Sequence, residues 1–347
     1  MRLFSRNQYI GHPSQLLRIN NYKMVGGFAD GLRAADIQNG RISVTVSADR
    51  GMDIPFLNYK GVNIGYIAPC GMVSPQYYDD KDMGFFRGFT AGFLTTCGLT
   101  HMGAPSEVDG QKYGMHGRES NIPAKNFCTK LISDETSMAA VLSGEMDQAL
   151  LFGEKLSLER RFKIAYDQKF FHFTDRVTNN GFSRTQHMLL YHFNIGYPML
   201  DESAEILIPA KTVAGREPYS QFDIANRLHV PSPIHKYREM CYFYKLKHDP
   251  QNCSCVAVYN HNRGLGICIE FDTSVLDHFT QWKMVGEGEY VIGLEPGNAT
   301  PLGVEKEKAL GHLKYLEAGE TRTYEFTISV LEGKEDLEAL KHKIGQY

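Results

Sequence analysis

The sequence lacks an excess of basic charge: 37 Lys and Arg stand against 40 Asp and Glu in 347 residues, a formal net charge of −3. Proteins held to nucleic acid by neutralising phosphates carry a basic surplus, so nucleic acid is excluded as a partner. Long apolar runs are missing too. A membrane helix needs about 20 apolar residues in succession, and the longest uncharged stretch, residues 88–106, is broken by Gly, Thr, His and Pro. The opening MRLFSRNQYIGHPSQ has no continuous apolar segment and no small-residue cleavage pattern. No signal peptide is read, and the cytoplasm is the expected compartment. The seven cysteines (70, 97, 128, 241, 253, 255 and 268) form no C-x2-C pair. Their odd number suits core thiols in a reducing compartment better than a disulfide framework or a structural zinc site. For the same reason the sequons at Asn252 and Asn298 are expected to be inert.

Several chemistries lack their residues. Gly264-x-Gly266 and Gly286-x-Gly288 stop short of a dinucleotide fingerprint, and there is no P-loop, no G-x-S-x-G elbow, no H-x-H pair and no H-E-x-x-H helix. What the chain has in quantity is two-residue alternation. Apolar residues occupy every second position in Arg41 to Ala48, Lys155 to Ile164, Gly266 to Asp272 and Tyr324 to Val330, the period of a strand with one face on a core. Asn179-Asn180-Gly181, between two further strand-like runs (170–178 and 185–195), predicts a hairpin turn. Helical spacing is clear only at Leu337, Leu340 and Ile344, with a weaker pattern over Ser14 to Ile19. No linker, charge run or repeat marks a boundary. The expected fold is therefore all-β: one large antiparallel β-sandwich domain over residues 1–347, with a few short peripheral helices.

Three polar clusters interrupt this pattern. In Tyr113 to Pro123, glycines flank His116 and leave its ring unshielded, either a turn histidine in solvent or one that faces a ligand. In Leu189 to Pro198, alternation puts Leu190, His192 and Asn194 on one face and Tyr191, Phe193 and Ile195 on the other. In Trp282 to Asn298, Glu295 follows an apolar run where a core residue is expected, and Pro296-Gly297 ends the strand. A carboxylate so placed is paired, hydrogen-bonded or functional. Trp282, the only tryptophan, is either a core residue or a platform for the apolar face of a sugar.

Five ordered segments carry a resemblance that spans most of the chain. They are Ala48-Asp49-Arg50-Gly51-Met52-Asp53-Ile54, Thr96-Cys97-Gly98-Leu99-Thr100-His101, Met115-His116-Gly117-Arg118, Tyr191-His192-Phe193-Asn194-Ile195-Gly196 and Gly293-Leu294-Glu295-Pro296-Gly297-Asn298-Ala299. In these the sequence resembles the aldose 1-epimerase (galactose mutarotase-like) superfamily, in its branch of aldose 1-epimerase-like proteins (DUF4432-like). The resemblance implies a large β-sandwich, a sugar in a cleft on one sheet, no cofactor and no metal. It implies that Glu295 is the general base, His192 the general acid, His116 a second histidine orienting the sugar and Arg50 a substrate-binding residue. By motif context Asp53, His101, Arg118, Asn194, Trp282 and Asn298 join the substrate-binding set. In typical mutarotases the acid lies two residues further ahead of the Phe-Asn pair, a position held here by Leu190. The even shift keeps His192 on the same strand face, about 7 Å along it.

The expected reaction is interconversion of sugar anomers by acid–base ring opening, with a small-molecule sugar as the partner and self-association left open. Ordinary pKa values near 4.3 for Glu and 6.5 for His start close to the charged states such a pair needs, and proximity reinforces them. Two other classes remain. One is a non-catalytic carbohydrate-binding protein. The other is a metal-dependent sugar isomerase with His101, His116, His192 and Glu295 as ligands. Arg50, Arg87 and Arg118 leave open an anionic sugar.

Overall fold

The computed structural model describes residues 8–134 and 136–347. Its largest sheet has eight strands in the order Lys125–Ser133, Met138–Ala149, Lys155–Ala165, Phe170–Asn179, Thr321–Glu332, Leu265–Asp272, Cys253–Asn260 and Ala204–Leu207, with every neighbouring pair antiparallel. A second sheet runs Ala210–Gly215, Met240–Leu246, His278–Gly286, Glu289–Gly297, Thr185–Gly196 and Lys314–Leu316, and Leu94–Leu99 also pairs with Thr185–Gly196. A five-stranded meander from Arg18–Lys23 to Val62–Asn63 completes the main architecture. Among the described residues no helix is long and apolar enough to cross a membrane.

The alternation in the sequence becomes the core. Phe162, Phe173, Phe326 and Phe271 stand opposite one another across four strands of the large sheet. The rings of Phe173 and Phe326 stack at 4.6 Å. From the second sheet Tyr191 and Phe193 descend onto this row, 4.5 and 5.6 Å from Phe326. Their strand neighbours Leu190, His192 and Asn194 therefore face the other way, as the period of two requires. Each such buried aromatic contributes about 2–3 kcal/mol of hydrophobic stabilisation, so this row fixes the face of the second sheet left for the site.

Arg160 also lies on the inward face and is fully buried. Its guanidinium makes five hydrogen bonds, to Asp175 (two), Asp53, Gly51 O and Thr96 Oγ1, which use its whole donor set.

Two local expectations are corrected. Asn179-Asn180-Gly181 does not close a hairpin, because Phe170–Asn179 and Thr185–Gly196 lie in different sheets. Neither Asn180 nor Gly181 takes the positive φ of a type I′ turn. Asn179 instead uses its side chain to bind Ser183 O and Leu316 O and to accept from Gly181 N, shaping a crossover between sheets. Over Ser14 to Ile19 there is only a 3-10 turn at Pro13–Gln15 before the strand starts at Arg18. The C-terminal helix does form, over Gly333–Gly345. Leu337 and Leu340 pack it on Cys255, Ala257 and Tyr259, on the outer face of the large sheet. Not all thiols are core: Cys97, Cys241, Cys255 and Cys268 are buried, Cys70 and Cys253 half-buried and Cys128 exposed, and all seven are free.

Candidate active site

A cleft of about 630 Å³ opens on the second sheet, away from the core. Its floor follows from strand register. His192 is directly across from Thr95 on one side, and the pairing of Phe193 with Leu294 puts it opposite Glu295 on the other. Glu295 in turn pairs with Thr280, and Trp282 with Gly293. His192, Glu295, Thr280 and Trp282 thus share one face of three adjacent strands, while Leu294 and Ile292 point into the core. Gly293 makes room for the pair. A Cβ there would stand 2.7 Å from Glu295 Oε1 and 3.1 Å from His192 Cε1.

Nε2 of His192 lies 3.2 Å from Oε1 of Glu295. The two are within ion-pair distance but out of line for a hydrogen bond, and Oε1 has no other partner. Nδ1 of His192 is likewise buried and unpartnered. Burial governs both groups. It pushes the Glu295 carboxyl from 4.5 up to about 8, against a smaller opposing effect of Arg216. It pulls His192 from 6.5 down to about 3. This corrects the expected charge states: desolvation decides both groups. Burial thus favours the neutral form of each, a protonated carboxyl at Glu295 and a neutral imidazole at His192.

Loops build the walls. His116 lies at a left-handed φ of 61°, with its ring 5.0 Å from Phe85 and 6.0 Å from that of His192. Burial holds its pKa well below 6.5. Gly117 beside it tolerates no side chain, since a Cβ would fall 2.3 Å from His101 O. Trp282 stands edge-on to His192 at 5.4 Å, and its Nε1–H donates to Glu239 Oε2 at 3.0 Å. Arg216 binds the other oxygen of Glu239 at 2.8 Å and also pairs with Glu217.

Of the ten residues expected at the site, His192, Glu295, His116 and Trp282 line this cleft. The other six are elsewhere. Arg50 is buried and spends its guanidinium on Val73 O and Gly88 O, bracing the segment that carries Phe85 and Phe89. Asp53 is a partner of Arg160 and Thr96 in the core. His101, stacked on Tyr113, and Arg118, paired with Asp80, line a separate cavity. Asn194 donates to His192 O, and Asn298 ties Leu189 N to His187 O. His101 is thus apart from His116, His192 and Glu295. Among the described residues no group of three or more His, Cys, Asp or Glu is arranged to hold a metal ion.

Arg216, Glu239, Phe85 and Phe89 line the cleft without having been expected there. The aromatic cluster Phe85-Phe86-Arg87-Gly88-Phe89 was a visible signal. Arg216 and Glu239 were not, because single charges at strand ends read as solvated.

The fold is galactose mutarotase-like. A "putative aldose 1-epimerase" from Klebsiella pneumoniae superposes with a TM-score of 0.91 at 24% identity, over 95% of this chain and 87% of that one. A galactose mutarotase-like protein from Clostridium acetobutylicum gives 0.65 at 13% identity, over 92% and 99%. The galactose 1-epimerase of Lactobacillus acidophilus gives 0.58 at 12%, over 91% and 99%. No curated protein matches the chain. The sequence profile described as "Domain of unknown function (DUF4432)" matches residues 29–330, and the chain belongs to that family.

Proposed function

We propose that this protein is a carbohydrate-active isomerase of aldose 1-epimerase type, which interconverts the anomers of a sugar bound in the cleft. The observation that carries the reading is the buried pair: two facing titratable groups 3.2 Å apart at the floor of the cleft, each with an unpartnered polar atom. Buried polar atoms are normally satisfied, so atoms left open in a cleft suit incoming hydroxyls. The relatives named above support the reaction class through their fold.

Ring opening needs one group to take the proton of the anomeric hydroxyl while another gives a proton to the ring oxygen as the C1–O5 bond breaks. The product is an open-chain aldehyde. After rotation about C1–C2, the same steps in reverse close the ring with C1 inverted and return the proton. Glu295 acts as the base and His192 as the acid once a bound sugar draws the two groups, 3.2 Å apart, into line and the proton passes from Glu295 to His192. Hydrogen bonds from sugar hydroxyls to the Glu295 carboxylate favour that transfer. Each such acid or base contributes about 10² to 10⁴ in rate. His116 orients the sugar beside the pair, and Trp282 offers a face to its C–H side.

The test is polarimetry of freshly dissolved single anomers of neutral aldoses. Relaxation faster than buffer, lost in Glu295→Gln, supports the reading. Sugar binding without faster relaxation would make the protein a carbohydrate-binding protein instead.

A further inference from the structure

A second cavity of about 420 Å³ adjoins the cleft, and the two share Phe86, Phe89, Glu239 and Trp282 in their walls. Beyond that shared wall it is lined by Tyr66, Ala68, Pro69, Cys70 and Met284, with Glu289 as its other acid and no basic side chain. The wall is held in place. Trp282 is fixed by its hydrogen bond to Glu239, which Arg216 grips from the far side. Apolar and aromatic surface, with two carboxylates to accept hydroxyl protons, is the chemistry that binds the C–H and O–H faces of an uncharged sugar ring.

We propose that this cavity binds a second, neutral sugar unit. On the reading of the cleft given above, the substrate is then a disaccharide or longer oligosaccharide opened at its reducing end. The C1 hydroxyl must be free for ring opening, so the second unit is joined through another hydroxyl and extends past Trp282. The charges agree. Glu289 has no cation beside it in the cavity's lining, the cleft's Arg216 is spent on Glu217 and Glu239, Lys306 lies on the cleft side only, and Arg50, Arg87 and Arg118, which left an anionic sugar open, line neither space.

Trp282 is the chain's only tryptophan, so its fluorescence reports sugar entering either space. Maltose, cellobiose and lactose are titrated against glucose and galactose, with an acidic uronate-containing disaccharide alongside. At least one neutral disaccharide is expected to bind about tenfold more tightly than its own monosaccharides, the scale of one added aromatic contact. That preference should vanish in Met284→Arg and in Ala68→Phe, which leave Trp282 the only fluorophore of its kind, each checked for native circular dichroism. The proposal is overturned if no disaccharide exceeds its monosaccharides, if the preference survives both substitutions, or if the acidic disaccharide binds best. Anomer exchange on the same panel separates the two claims. A disaccharide preference without exchange leaves the two-unit site standing and removes the isomerase; exchange without the preference does the reverse.

Discussion

Replacing Glu295 by Gln should make the protein more stable, and increasingly so as the pH rises. In the folded chain burial lifts this carboxyl from 4.5 to about 8. A raised folded pKa means a contribution to stability that is fully present below 4.5 and lost as pH rises through about 8, because the unfolded chain ionises first. One pKa unit is worth about 1.4 kcal/mol, so the full span is at most about 5 kcal/mol. Between about pH 5 and pH 8 the difference is about 3.5 kcal/mol, which for a chain of this length is roughly 5 °C in Tm. The assay is thermal unfolding of wild type and Glu295→Gln in matched buffers at those two pH values. His192, His116 and His101 titrate in both proteins, so the difference between the curves isolates Glu295. A Gln variant that is less stable than wild type, or whose advantage does not grow with pH, refutes the burial argument.

Other consequences follow from the same geometry. Anomer exchange should stay high up to about pH 8 and fall beyond it as Glu295 loses its proton; a decline near 6.5, where an unperturbed histidine titrates, would contradict the shifts. Arg216 lowers the Glu295 pKa and Glu239 raises it, so Arg216→Met should move that alkaline limb to higher pH and Glu239→Gln to lower pH in rate–pH profiles. Gly293→Ala should cut exchange by about a hundredfold by pushing Glu295 and His192 apart, with overpacking costing only about 1–3 kcal/mol of stability in denaturant titrations. Asp53→Ala strands one side of the buried Arg160 and should destabilise by about 3–5 kcal/mol, while the folded fraction keeps its sugar affinity.

Where the sequence was legible, one physical rule carried it. Alternation put His192 opposite the face of Tyr191 and Phe193, and an acid in an apolar strand pointed to Glu295. Both groups meet because strands 185–196 and 289–297 pair in that register, a long-range fact no local pattern contains. Asn179-Asn180-Gly181 misled because its turn chemistry is local, whereas the destination of the next strand is decided by which sheet has room for its aromatic face. Arg50 and Asp53 misled differently. They sit close in sequence to the segments that shape the site, yet each is turned inward to satisfy buried backbone or the Arg160 guanidinium. Arg216 and Glu239 were invisible because their value lies in each other and in Trp282. The pKa reversal was equally hidden, since spacing says which groups meet but not how much water they lose.

The most direct test of the central claim is two-dimensional exchange NMR on equilibrated neutral reducing sugars, mono- and disaccharide, with wild type, Glu295→Gln and His192→Gln. The account predicts cross-peaks between anomeric protons in the presence of wild type, at rates well above buffer, and none above buffer with either variant. Equal cross-peaks in all three proteins, or none with wild type, would contradict the assignment of the proton transfers to this pair.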